Sequence, residues 1–83
     1  MEGTWKLYIL RCGDGSLYTG ITTDVDARLA VHRSGKGAKY TRGRGPLELV
    51  YTEDCESHSA ALKREYAVKA LTVLEKRKLC GIE

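Results

Sequence analysis

The 83-residue chain contains no apolar run near the roughly 18 residues that a membrane-spanning helix requires. Its opening, Met1-Glu2-Gly3-Thr4, lacks the basic start and apolar middle of a secretory leader. No membrane association and a cytoplasmic location are therefore expected. Cysteine is sparse and poorly placed for cross-linking: Cys12, Cys55 and Cys80 are odd in number, widely spaced and without a CxxC pair. Neither His32 nor His58 lies at a zinc-finger offset from them. A disulfide framework and a structural zinc site are both excluded as expectations. Helix-turn-helix, zinc-finger and coiled-coil patterns are missing too, so nothing supplies sequence-specific reading of DNA.

Acids are absent from one long stretch. Residues 27–47 carry Arg28, Arg33, Lys36, Lys39, Arg42 and Arg44 with no acidic residue, while the rest of the chain has eight bases against eleven acids. The net charge of +3 thus conceals a concentrated positive segment on a mildly acidic remainder. Such a division is the footprint of a polyanion binder, although an ordinary solvated loop gives the same pattern. The length falls below the roughly 100–200 residues typical of a domain, so a single domain over 1–83 with a modest core is expected. A hydrophobic content of 42% suffices for it.

Residues 5–12 and 16–22 read as strands joined at Gly13-Asp14-Gly15. The loop length decides where the side chains go. A two-residue turn would put Tyr8 and Tyr18 on opposite faces of the sheet. A three-residue loop pairs Cys12 with Ser16, with Gly15 in the left-handed position of a bulged turn. Tyr8 then lies opposite Gly20, Leu10 opposite Tyr18, and both phenols share a face. This register is the favoured one, with Gly20 leaving space beside Tyr8.

Asp24 can cap a helix from Val25 to about Arg33, stopped by Ser34-Gly35. Its inward stripe would be Val25, Arg28, Leu29 and His32. Residues 34–46 are glycine-rich, basic and aperiodic, and are expected to form a long mobile loop with nothing to bury. LELVYTE (47–53) reads as a third strand with Leu47, Leu49 and Tyr51 on one side. A second helix over 57–71, capped by Ser57 or Ser59, aligns Ala61, Glu65, Val68 and Thr72. Thr72 and Glu75 form a capping box opening a last helix that closes at Gly81. The order β-β-α-β-α-α predicts an α+β fold with a three-stranded antiparallel sheet.

LYI at 7–9 and YTG at 18–20, Arg28 ten residues after Tyr18, His32 four residues later and Glu65 on a later helix together resemble the GIY-YIG nuclease domain. The similarity runs from about Trp5 to Cys80 and is closest to the small stand-alone members. The resemblance implies a metal-dependent endonuclease that hydrolyses phosphodiester bonds in DNA, with a role in repair or processing. Tyr8 or Tyr18 would act as general base or orient the attacking water, which for a phenol of ordinary pKa near 10 requires a helping environment. Arg28 would clamp phosphate oxygens, and His32 would bond a tyrosine or the phosphate. Glu65 would hold a single divalent ion, Mg²⁺ or Mn²⁺. One position departs from the repair-endonuclease branch, where a lysine follows the second motif. Here it is Ile21, which cannot depress a phenol's pKa by charge.

For nucleic acid, Arg33, Lys36, Lys39, Arg42 and Arg44 would contact phosphates and Tyr40 would stack on an unpaired base. Single-stranded or structured DNA suits so small a surface best, RNA being the other compatible polyanion, and a monomer is expected. Each residue also has an ordinary reading. Strand tyrosines fill cores, Arg28 and Glu65 could form a buried ion pair, and His58 beside a helix cap is structural. The alternative function is a non-catalytic nucleic-acid-binding module that retains the fold.

Overall fold

The computed structural model describes residues 4–82; Met1, Glu2 and Gly3, on which the leader reading rests, lie outside them. Strand β1 spans Trp5–Arg11, β2 Leu17–Thr22 and β3 Glu48–Cys55, and the helices are α1 Val25–Arg33, α2 His58–Lys69 and α3 Val73–Leu79. The expected β-β-α-β-α-α order and α+β class are both present. β1 is central in an antiparallel sheet of order β2-β1-β3, which is why its middle is the most completely buried segment of the chain. Leu7, Ile9 and Leu10 are wholly inaccessible and Tyr8 nearly so. At roughly 1.5–3 kcal/mol per buried large apolar side chain, this strand supplies a large share of the fold's stabilisation.

The first hairpin has the three-residue loop. The Cys12 amide donates to the Ser16 carbonyl at 2.8 Å, Gly15 has φ +87°, and Tyr8 pairs with Gly20 and Leu10 with Tyr18. Asp14 reinforces the turn by accepting from the Ser16 amide and hydroxyl at 3.0 and 2.6 Å. Those bonds, with Arg44 nearby, hold its carboxyl down at about 2.

Alternation along β1 then builds two half-cores. Tyr8, Leu10 and Cys12 pack with Leu47, Leu49, Tyr18 and the α1 residues Val25 and Leu29. Leu7 and Ile9 pack on the other face with Ala61 and Val68 of α2, and with Ile21, Leu79 and Cys80. Ile21 is thus half-buried against the core, on the face away from the tyrosines, and a lysine there would lose that apolar packing. Local caps fix the helices. Asp24 accepts from the Ala27 amide, Ser57 from the Ala60 amide, and Thr72 with Glu75 forms the reciprocal box. α2 ends at Lys69, so Thr72 leaves its stripe and becomes the cap of α3. The cysteines are unpaired, and no helix among the described residues is long and apolar enough to cross a membrane.

Two expectations fail. The β1–β3 ladder shifts register between Ile9 and Leu10, which pair with Tyr51 and Leu49 respectively. The extra residue, Val50, is a bulge, and it turns Tyr51 to the face opposite Leu47 and Leu49. There the Tyr51 hydroxyl donates to Glu53 at 2.6 Å, and Glu53 accepts a two-pronged bond from Arg64. The second failure is the loop over 34–46. It contains a turn of 3₁₀ helix, Lys39–Thr41, and Thr41 is buried at 2% exposure. The Gly13 amide donates to the Arg44 carbonyl, and the Arg44 side chain pairs with Asp14 at 2.5 Å. This loop is docked on the hairpin turn and on α1, not loose.

Candidate active site

Gly20 explains the tyrosine opposite it. A Cβ built at Gly20 would lie 2.6 Å from the Tyr8 hydroxyl and 2.7 Å from the adjoining ring carbon, so only glycine lets the phenol lie across β2. Lying there, the Tyr8 oxygen comes to 2.8 Å from Nε2 of His32. His32 arrives at that point because it is the last member of the α1 stripe, one turn beyond Arg28. The Arg28 guanidinium acts on the same phenol and favours its anion. The Tyr18 ring completes the group, with its centroid 6.3 Å from that of Tyr8 and edge-on to His32 at 5.2 Å.

The fifth predicted member stands slightly apart. Glu65 lies on α2, on the other side of the sheet, where α2 packs against β2 and β1. Its charge is felt at the Tyr8 phenol, but its direct partner is Lys69 at 3.3 Å. The Arg28–Glu65 ion pair allowed by the sequence is not among the salt bridges of the described residues.

Burial sets the protonation of the centre. It pushes the Tyr8 phenol above its usual 10.0; the Arg28 guanidinium opposes this, and the charges of Tyr18 and Glu65 add to it. Burial also lowers His32 below 6.5, and the Arg28 guanidinium adds to that. The resting pair at neutral pH is therefore a phenol and a neutral imidazole. A charge-bearing state of either must be stabilised by what enters the site.

Beside Tyr18 the surface opens into a cleft of about 390 Å³ lined by Leu17, Tyr18, Thr19, Tyr40, Lys69 and Lys76. Tyr40 is exposed and lies 5.9 Å from Tyr18, ring to ring, with the Arg44 guanidinium 4.5 Å from its ring centre. The basic residues of the neighbouring loop divide by what they do. Lys36, Lys39 and Arg42 are exposed and form no ion pair among the described residues. Arg44 is committed to Asp14 and Tyr40, and Arg33 donates to the Leu47 carbonyl at 3.0 and 3.3 Å. Arg33 therefore ties α1 to the start of β3. His58 stacks on Trp5 at 4.3 Å, a structural contact as expected.

Lys69 and Lys76 escape a reading of the sequence alone. Lys69 carries a usable signal, since it follows Glu65 by four residues and so shares its helix face. Lys76 reaches the cleft only through the packing of α3. Among the described residues no cluster of three or more histidine, cysteine or carboxylate side chains exists to cage a metal. A divalent ion here would rest on one carboxylate, with waters and substrate oxygens filling its shell. Mg²⁺ is suited to that arrangement.

Comparison with known proteins identifies the family. Residues 4–78 match the GIY-YIG catalytic domain. A UPF0213 protein of Natronomonas pharaonis is 52% identical over 83 residues, covering all of this chain and 98% of the relative. One of Desulfotalea psychrophila is 54% identical over 76 residues, covering 90% of this chain and 69% of the relative. Among solved structures, the solution structure of a UPF0213 protein of Bacillus halodurans superposes with a TM-score of 0.61 at 54% identity, covering 94% of this chain and 83% of that one. The solution structure of a protein from E. faecalis gives 0.64 at 42% identity, covering 94% and 84%. The chain belongs to the GIY-YIG family, together with these UPF0213 relatives.

Proposed function

We propose that this protein is an endonuclease that hydrolyses phosphodiester bonds in DNA, acting on single-stranded or structured substrates. The observation that carries the reading is the buried Tyr8–His32 contact, with the Arg28 guanidinium acting on the same phenol, at the side of a cleft bordered by two tyrosines and two lysines.

In the reaction, Arg28 binds the non-bridging oxygens of the scissile phosphate with its planar fork and gains strength as negative charge gathers there. Tyr8 orients the attacking water and takes its proton, a role for which a phenol must be brought to its anion by the neighbouring donors. Tyr18, at the mouth of the cleft, holds the water or the phosphate on the open side. Glu65 would hold a divalent ion, Mg²⁺ or Mn²⁺, which when bound neutralises charge on the phosphate and the leaving oxygen. Lys69 balances the Glu65 carboxylate. Lys36, Lys39 and Arg42 track the backbone of the nucleic acid, and Tyr40 stacks on a base.

The test is cleavage of a panel of single-stranded, duplex and branched DNA, with RNA as a comparison, in the presence and absence of Mg²⁺. Metal-dependent cleavage that disappears in Glu65→Ala supports the enzyme. Binding with no cleavage under any of these conditions replaces it with the binding-module reading.

A further inference from the structure

We infer that the cleft at the free edge of β2 is a second phosphate subsite, where Lys76 and Thr19 hold one internal phosphodiester of a nucleic-acid strand beside the bond that is cut. Two groups in that cleft lack a partner. Thr19 is 3% exposed, and its hydroxyl oxygen is the one buried side-chain oxygen or nitrogen among the described residues with no hydrogen bond. Lys76 is half-buried and forms no ion pair among the described residues. An unmade buried hydroxyl and a partly desolvated ammonium are both unfavourable. One anion between them satisfies both.

The backbone adds a third donor. β2 is an edge strand, and the Cys12 amide bond to the Ser16 carbonyl sets the phase of its ladder. Bonded and non-bonded pairs alternate in an antiparallel hairpin, so Leu10–Tyr18 and Tyr8–Gly20 are bonded pairs and Ile9–Thr19 is not. The Thr19 N–H therefore points away from β1, toward the free edge where the cleft lies. The wall of the cleft divides by chemistry: Tyr18 and Tyr40 supply rings, Lys69 and Lys76 supply ammonium groups, and no carboxylate among the described residues lines it. Lys69 is matched by Glu65 at 3.3 Å, which leaves one uncommitted positive charge. An internal phosphodiester, with a single negative charge, fits that balance better than a doubly charged terminal phosphate.

Thr19 faces the α2 side of the sheet with its partner Ile9, away from Tyr8 and His32. Tyr18 stands between the two places, lining the cleft while its ring lies 6.3 Å from that of Tyr8. A strand anchored at Thr19 and Lys76 passes over Tyr18 toward Tyr8 and Arg28, so the anchor helps to set which bond is cut. That last step rests on the reaction proposed above; the phosphate site does not.

The test is binding of a short fluorescent oligothymidylate to the full chain, without metal, across a salt series. Lys76→Gln should raise Kd by about tenfold or more and flatten the log–log salt slope by about 0.7. Thr19→Val removes a donor and no charge, so it should raise Kd by about two- to tenfold with the slope unchanged. Its urea midpoint should be no lower than wild type, because the lost hydroxyl has no partner in the free protein. The double variant should lose less than the product of the two single losses, since both groups hold one phosphate. Lys78→Gln, which removes an exposed charge from the same helix, should bind as wild type. Unchanged affinity in either cleft variant, losses that simply multiply, a lowered midpoint in Thr19→Val or an equal loss in Lys78→Gln overturns the subsite. DNA cleavage with unchanged affinity in the cleft variants retains the nuclease reading and removes the subsite, whereas the expected binding pattern without cleavage retains the subsite and removes the nuclease reading.

Discussion

Glu65 pairs with Lys69 at 3.3 Å, within its own helix, and leaves Arg28 to the Tyr8 phenol. The two residues most expected to meet as a buried ion pair are thus each free of the other. That separation has an energetic consequence. Removing one half of a buried pair strands a charge and costs about 3–5 kcal/mol, whereas neither Arg28 nor Glu65 would strand the other.

Arg28→Ala and Glu65→Ala should therefore each remain folded, with urea midpoints close to wild type. Cleavage should fall by about 10²-fold or more in each, as when a charge-stabilising group is removed from a transition state. If the two act on rate and not on uniform binding, kcat falls while KM holds. Retained cleavage in either variant would remove that residue from the mechanism, and an unfolded variant would return it to a structural role.

The contact between Gly20 and Tyr8 gives a prediction about stability and geometry together. Gly20→Ala places a methyl inside contact distance of both the phenol oxygen and the ring. The buried Tyr8 has nowhere to retreat, so the variant should lose about 1–3 kcal/mol in urea unfolding. The same displacement pulls the oxygen away from His32, and activity should fall further than stability alone explains. Wild-type stability would mean the hairpin flexes enough to absorb the methyl.

His32 makes stability depend on pH in a definite direction. Its folded pKa lies below 6.5, from burial and the Arg28 charge, so the unfolded chain binds the proton more readily. Stability should thus be complete above about pH 6.5 and decline as the pH falls below it. At Glu53 burial works to raise the carboxyl, but the bonds from Arg64 and Tyr51 outweigh it and hold the group below 4.5. Its own loss of stability is therefore added only at lower pH. The interval between 4.5 and 6.5 isolates the histidine. In His32→Gln the slope there should flatten, whatever the absolute stability of the variant, and an unchanged slope would assign it to other groups.

The register of the first hairpin is legible in the sequence because two features agree. Side chains alternate with period two, and only a three-residue loop puts both tyrosines and Gly20 in one consistent arrangement. The α1 stripe is legible for the same kind of reason, a fixed helical period. The face of Tyr51 is not, because a bulge shifts the register by one residue and Val50 carries no local mark of it. The docking of the 34–46 loop is hidden because its anchors lie outside it: Thr41 bonds His32 on α1, nine residues back, and Arg44 bonds Asp14, thirty residues away. Glycine and lysine content reports what a segment can do locally, and says nothing of a partner brought by the fold.

A docked loop changes which charges should matter for binding. Arg44 is held between Asp14 and Tyr40, and Arg33 is bonded to the Leu47 carbonyl, so neutralising them would disturb the loop as well as its charge. Lys36, Lys39 and Arg42 are the clean test, being accessible and outside the salt bridges of the described residues. Replacing all three by Gln should leave the fold intact and weaken nucleic-acid binding by a similar factor for every sequence, because phosphate contacts carry no base information. The log–log salt dependence should flatten by about 0.7 for each phosphate no longer neutralised on single strands, and by about 0.9 on duplex. Fluorescence anisotropy across a salt series, wild type against triple variant, measures both quantities. Equal slopes would reduce these residues to an ordinary solvated surface and move the binding face to Lys69 and Lys76 across the cleft.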